Sequence, residues 1–230
     1  MLNAFIEFHS VFLVIDKEIN LTFLIKELLF KVFLEDYVFE AGKTVMFPDY
    51  HKIVQSINYF ARQHGNLAIG KLVFLKLMFL ADRYHVRMYG RLISNSHYLA
   101  MKYGPVASES KNTFEFLELP EGERKYACEF LEPVSRNIVK SVRDVQDDVF
   151  SETDREALNV AWLTYRRYPK IVDYTHRFPE WKKHIHELVG NKVVTMDLND
   201  FFLPVDDDYC PAAGERLELN RECFHEMMAA

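Results

Sequence analysis

Asp82 and His85 stand three residues apart in the run Phe79-Leu80-Ala81-Asp82-Arg83-Tyr84-His85, and His97 follows a short way on. Residues three apart share a helix face. A carboxylate and two imidazoles in this arrangement have the chemistry of an acid/base pair or of a partial metal site. The chain holds 9 His, so such pairings arise readily by coincidence, and hydrogen bonding within the fold explains the trio better. His184-Ile185-His186 lacks a third ligand at a recognisable spacing. No G-x-S-x-G, Walker or G-x-G-x-x-G pattern occurs. Cys128, Cys210 and Cys223 are odd in number and far apart, so neither a zinc ribbon nor a disulfide framework is encoded. A reducing, cytoplasmic setting is the simplest reading of these cysteines. The residues imply no cofactor and no metal.

A second arrangement is electrostatic. Lys76, Arg83 and Arg87 fall within about 40° of one another on a helical wheel and form one basic stripe. The stripe either pairs with acidic groups of the same chain or faces an acidic partner. Tyr84, Tyr89 and Tyr103, with the arginines around them, are residue types enriched in binding hot spots. Residues 46–110 carry eight Lys/Arg against three Asp/Glu, whereas residues 190–230 carry three against nine. The net charge of -6 argues against direct nucleic-acid binding. The longest apolar runs near the start are interrupted by Asp16, Lys17 and Glu18 and by Lys26, Glu27 and Lys31. They fall short of the roughly 20 uncharged residues of a spanning helix, so no membrane association is expected.

These residues need elements to position them. Asp49 is the expected N-cap of a helix carrying Ile53, Ile57, Phe60 and Ala61 and ending at Gly65-Asn66. A second helix is expected over 69–89, closed by Gly90. Between Leu72 and Ala81 its only polar residue is Lys76. A helix apolar all round is buried all round, so this one belongs at the centre, with Lys76 needing a carboxylate or carbonyl partner. A short strand is expected over 97–102. Gly104-Pro105 then breaks the chain, with Pro105 in the first turn of a helix running to about Leu119. Strand character over 126–131 and 137–142 suggests a hairpin around Pro133-Val134-Ser135. Ser151 through Asp154 reads as a capping box opening a helix over 152–168. Pro169 and Pro179 each open a further short helix. The tail from Leu203 reads as loop. The sum is an α+β fold, predominantly α-helical, with helices around a buried central helix and a small antiparallel sheet or hairpin.

The run 79–91 continues into Tyr98-Leu99-Ala100-Met101-Lys102-Tyr103-Gly104-Pro105-Val106. Further on come Ser151 to Asp154 with Trp162, then Asp173-Tyr174-Thr175-His176 with Phe178-Pro179-Glu180-Trp181. Together these resemble the Panacea domain of SocA-like antitoxins and phage-associated GepA-like proteins. The resemblance covers roughly 47–181 and implies a bacterial or phage antitoxin of a toxin–antitoxin system. Such a protein binds and neutralises a toxin encoded by a neighbouring gene. The family has no established catalytic residues, so the expectation is a binding protein and not an enzyme. An adaptor that hands the toxin to a AAA+ protease is the alternative, and Met227-Met228-Ala229-Ala230 resembles the small apolar C-termini such proteases read. A hydrolase using Asp82, His85 and His97 ranks behind both, as does a phage-encoded interaction protein without a toxin.

The expected toxin-binding face comprises Asp82, Arg83, Tyr84, His85, Arg87, Tyr89, Lys102, Tyr103, Gly104, Pro105 and Val106, helped by Thr175, His176 and Trp181. The domain organisation follows as an N-terminal extension over 1–45, a Panacea-like domain over 46–190 and an acidic C-terminal tail over 191–230. Family members typically begin near the position of Met46. The extension is therefore read either as an amphipathic helix or as sequence upstream of a true start at Met46.

Overall fold

The computed structural model describes residues 47–205, 210 and 214–229. Contacts divide the chain into Met1–Val45 and Met46–Ala230, and the expectations for the extension lie outside the described residues. Helix α1 spans Tyr50–Gln63. Asp49 caps it as expected, its carboxylate accepting from the Lys52 amide at 3.0 Å. Strand β1 (Ala68–Gly70) leads directly into α2, Lys71–Tyr89. Helix α2 is buried on every face from Phe74 to Met88, through the apolar run that predicts it up to Ala81 and beyond, and stops at Gly90 in the left-handed conformation.

Strands β2 (Tyr98–Met101) and β3 (Gly104–Ala107) form an antiparallel hairpin, and β6 (Val194–Thr195) completes a sheet of order β3-β2-β6. A second sheet has order β1-β5-β4, with β4 at Leu131–Ser135 and β5 at Ile138–Ser141. The remaining helices are α3 (Ser108–Phe114), α4 (Glu121–Phe130), α5 (Glu152–Arg167), α6 (Ile171–Thr175), α7 (Pro179–Lys182) and α8 (Gly214–Ala229). Ser151 and Asp154 form the predicted capping box of α5. The fold is α+β and mostly helical.

Three expectations are corrected. Pro105 lies in β3, opposite Ala100, and the following helix starts at Ser108. β3 is an edge strand, where a missing N–H breaks no ladder bond. Residues 126–131 belong to helix α4 and its junction with β4, because Pro120 and the acidic first turn of Glu121 and Glu123 start a helix there. The hairpin turn accordingly falls between Ser135 and Ile138, with Pro133 on the edge strand β4. Finally, the tail expected as loop from Leu203 holds a helix, Gly214–Ala229. Residues 191–229 supply β6, a 3-10 turn at Leu198–Phe202 and helix α8, and belong to the same unit as the central helix.

The core gathers around α2. Phe79 makes ring contacts with Tyr98 of β2, Phe178 before α7 and Phe201 of the 3-10 turn, at 5.6 to 5.9 Å between centroids. Helix α8 closes over the end of α2. Phe224 is buried against Phe202, and Asn220 Nδ2 donates to the Arg87 carbonyl at 2.7 Å.

The contact between Gly90 and α8 gives the first prediction. A Cβ at Gly90 would sit 2.8 Å from the Asn220 carbonyl oxygen and 3.2 Å from Cys223 Cβ, at a φ of +70°. Gly90→Ala is expected to cost about 1–3 kcal/mol from backbone strain alone, with the clash in addition. Urea denaturation reads that loss, and limited proteolysis should find α8 newly cleavable. Unchanged stability with a protected α8 would refute this docking.

Candidate functional site

Past Ala81 helix α2 becomes polar in sequence yet stays inside, so each polar group has to find a partner. Asp82 accepts from the Ile93 amide at 2.7 Å, the Ser94 amide at 3.1 Å, the Tyr98 hydroxyl at 2.8 Å and the Ser94 hydroxyl. Burial pushes its pKa up and these donors pull the other way. Arg83 Nε donates to Glu180 Oε1 at 2.5 Å with both side chains fully enclosed, and its guanidinium lies 4.1 Å over the Phe178 ring. Burial raises the Glu180 pKa against the pull of Arg83 and Arg87. His85 contacts the Arg91 carbonyl at 2.8 Å and Thr153 Oγ1 at 3.0 Å, and burial lowers its pKa to about 4. Arg87 Nη1 donates to the carbonyls of Phe201 and Leu203. The hydroxyls of Tyr84 and Tyr89 both donate to Glu156.

The second feature is the turn joining β2 to β3. Lys76 is buried and donates from Nζ to the Pro105 carbonyl at 2.7 Å. Desolvation lowers its pKa to about 7. Trp181 Nε1 donates to the Met101 carbonyl at 3.0 Å. His176 stacks on Trp181 at 3.9 Å, nearly parallel. Burial and the Lys76 charge both lower the His176 pKa. Side chains from α2 and α7 thus grip the turn backbone at residues 101 and 105. The turn itself presents Lys102 and Tyr103 outward. Tyr103 is 62% exposed, and the Lys102 ammonium lies 5.7 Å from its ring centre.

Residues 74–182 match the family model described as Antitoxin SocA-like, Panacea domain. Just under half of the chain is thus similar to the Panacea domain. No curated protein and no solved structure gives a significant match. The Panacea domain suggests an antitoxin-type role. Among the described residues no helix is long and apolar enough to cross a membrane.

The domain sorts the expected binding residues into two groups. Asp82, Arg83, Tyr84, His85, Arg87, Gly104, Pro105, Val106, Thr175 and Trp181 are interior. Tyr89 and His176 are half-buried, while Lys102 and Tyr103 are exposed. The basic stripe of Lys76, Arg83 and Arg87 is therefore not a surface. It is satisfied within the chain, Lys76 by a carbonyl as its burial demands. Thr175 Oγ1 bonds the Val172 carbonyl within its own turn. The hydrolase trio separates as well. Asp82 and His85 have different partners, and His97 is exposed and pairs with Glu109 at 2.8 Å. No group of three potential metal ligands exists among the described residues. Sequence reasoning singled out neither Glu156 nor the individual role of Glu180. A demand for a carboxylate near Arg83 would have pointed to Glu180, inside the Phe178 to Trp181 motif.

Lys76 gives a prediction with a definite sign. The unfolded chain keeps this proton up to about 10.5, whereas the folded domain releases it near 7. Between these values the unfolded state binds more protons, so stability rises with pH. The clean window is about pH 7 to 9, below tyrosine ionisation. Urea denaturation across that window should show the rise in the native chain and a flatter profile in Lys76→Met. A native profile without a rise would contradict the lowered pKa.

Proposed function

We propose that this chain is an antitoxin that neutralises a protein toxin by direct binding, with Lys102 and Tyr103 at the centre of the contact. The observation that carries this reading is the turn between β2 and β3. Its backbone is held at two points by the buried donors Lys76 and Trp181 while its two tip side chains face solvent. A turn held in one shape loses little conformational entropy on binding. Tyrosine and basic side chains on such a turn combine apolar area with charge and suit a hot spot.

The buried members of the expected face act as positioning residues in this reading. Asp82 fixes the segment before β2 through Ser94 and Tyr98. Arg83 fixes α7 through Glu180, and Glu180 neighbours Trp181, which holds the turn. The partner is the product of a neighbouring gene, and the setting is a bacterial cytoplasm, in keeping with the free thiols of Cys128, Cys210 and Cys223. Sequestration and delivery to a AAA+ protease share this surface and differ in the fate of the toxin.

Co-expression tests the reading. The neighbouring gene alone should arrest growth, and this chain should rescue growth and co-purify with the product. Tyr103→Ala should weaken the complex by about tenfold or more with an unchanged melting temperature, because Tyr103 is mostly outside the fold. A harmless neighbour, or full affinity in both Tyr103→Ala and Lys102→Ala, would overturn the assignment. A constant toxin half-life during rescue favours sequestration, whereas a shortened one favours the adaptor.

A further inference from the structure

One carboxylate gathers three cations at the start of α2. The Glu115 side chain, just past α3, is almost fully enclosed. It accepts from Lys71 Nζ at 2.6 Å and from Lys111 Nζ at 3.2 Å, and Arg136 Nε lies 3.8 Å away. These cations come from α2, from α3 and from the turn between β4 and β5, so only the fold brings them together. Glu115 offsets one charge of the three. The nearest other acid along the chain, Glu118, accepts from Asn112 at 2.6 Å. An ammonium has three donors, and Lys71 and Lys111 each spend one on Glu115. The Arg136 side chain is 79% exposed. Leu72, Leu117 and Ile138, at neighbouring positions, are exposed as well. The result is a face that joins positive charge to apolar area.

The other end of α2 carries a face of the opposite sign. Helix α8 docks there beside Gly90, with Leu217 and Phe224 buried. Glu215, Leu219, Glu222 and Glu226 of α8 are exposed and fall within about 60° of one another on a helical wheel. None of these three glutamates has an ion pair among the described residues. The ion pair within α8 joins Arg221 to Glu218 instead, at 3.6 Å.

We infer that the basic face at the start of α2 binds the acidic face of α8 on a second copy of this chain. Charge complementarity carries the argument. Three cations around one carboxylate meet three glutamates around a leucine, and both sides bring exposed aliphatic area. Distance selects a second copy over a contact within one molecule. The 19 residues of α2 at 1.5 Å each set the two faces roughly 27 Å apart, beyond the reach of a side chain. Glu115 also holds Lys71 and Lys111 in place before binding, so less rotamer entropy is lost. A nucleic acid would use the cations and leave Leu72, Leu117 and Ile138 without a partner. The inference makes no use of the antitoxin reading, and its test needs no toxin.

Sedimentation of the purified full chain over a range of concentrations provides the test. At ~50 mM salt the mean mass should rise with concentration, and at ~500 mM it should fall back toward a single chain. Arg136→Glu should weaken association by about tenfold or more, and so should Glu222→Lys combined with Glu226→Lys. All three positions are exposed, and an unchanged melting temperature checks each fold. Should one variant fail to fold, the other still tests its own face. The sharpest arm mixes the two variants. Their reversed faces complement each other, so the mixture should associate where neither variant does alone. A single-chain mass at every concentration in low salt would overturn the inference. Association that both variants keep would do the same, because it would run through another surface. So would a mixture that stays dissociated.

Discussion

Helix α2 carries Lys76, Asp82, Arg83, His85 and Arg87 out of water, and the arrangement of the domain follows from where each finds a partner. An unpaired buried ion costs several kcal/mol, so none of these contacts is optional. The partners come from widely separated parts of the chain: β3 for Lys76, the approach to β2 for Asp82, α7 for Arg83, the start of α5 for His85 and the 3-10 turn for Arg87. Removing one member of a buried pair such as Arg83–Glu180 costs about 3–5 kcal/mol. Apolar packing of comparable size is less demanding about geometry, because it fixes proximity and not register. The buried polar groups therefore specify which segment lies against which part of α2.

Two of these partnerships bear on the surface. The demand of Lys76 is met by a backbone carbonyl of β3, and that bond also fixes the exit of the turn. The demand of Arg83 is met by Glu180, which holds α7 so that Trp181 reaches the Met101 carbonyl. The exposed Lys102 and Tyr103 thus sit on a backbone whose geometry is decided inside the core. Burial keeps the His85 imidazole neutral at physiological pH, with a pKa of about 4, so this ring adds no charge to the helix interior.

Much of this was legible from the chain itself. The apolar run 72–81 announced a buried central helix, and Asp49, Gly90 and the Ser151 capping box marked boundaries that the structure keeps. The direction of the polar half of α2 was not legible. A helical wheel groups Lys76, Arg83 and Arg87 on one side but does not say whether that side meets water or Glu180 and the Phe201 carbonyl. Arg and Tyr are also the residue types of binding hot spots, so the same composition fits a core network and an interface. Pro105 misled for a related reason: it suits a helix start and an edge strand equally, and the register with Ala100 is a tertiary fact. Helix α8 follows Pro211 and a run of aspartates and has little amphipathic pattern of its own. Its place is held by Asn220 on the Arg87 carbonyl of α2 and by Phe224 against Phe202. The expected binding face ran over 82–106 with 175–181, and its division into buried residues and an exposed tip at Lys102 and Tyr103 was not legible.

Gly104 shows why that division is strict. Its φ of +99° is a conformation side chains rarely adopt, and a Cβ there would lie 2.8 Å from Lys76 Nζ and 3.1 Å from the His176 ring. Either fact alone would favour glycine. Together they mean that the turn lies directly on a buried amine and an imidazole with no layer of side chain between. Burial lowers the pKa of Lys76, and burial together with the Lys76 charge lowers that of His176. A near-neutral amine can donate to the Pro105 carbonyl without the desolvation cost of a full charge. The turn therefore meets Lys76 at two neighbouring points, the close approach at Gly104 and the hydrogen bond at the Pro105 carbonyl.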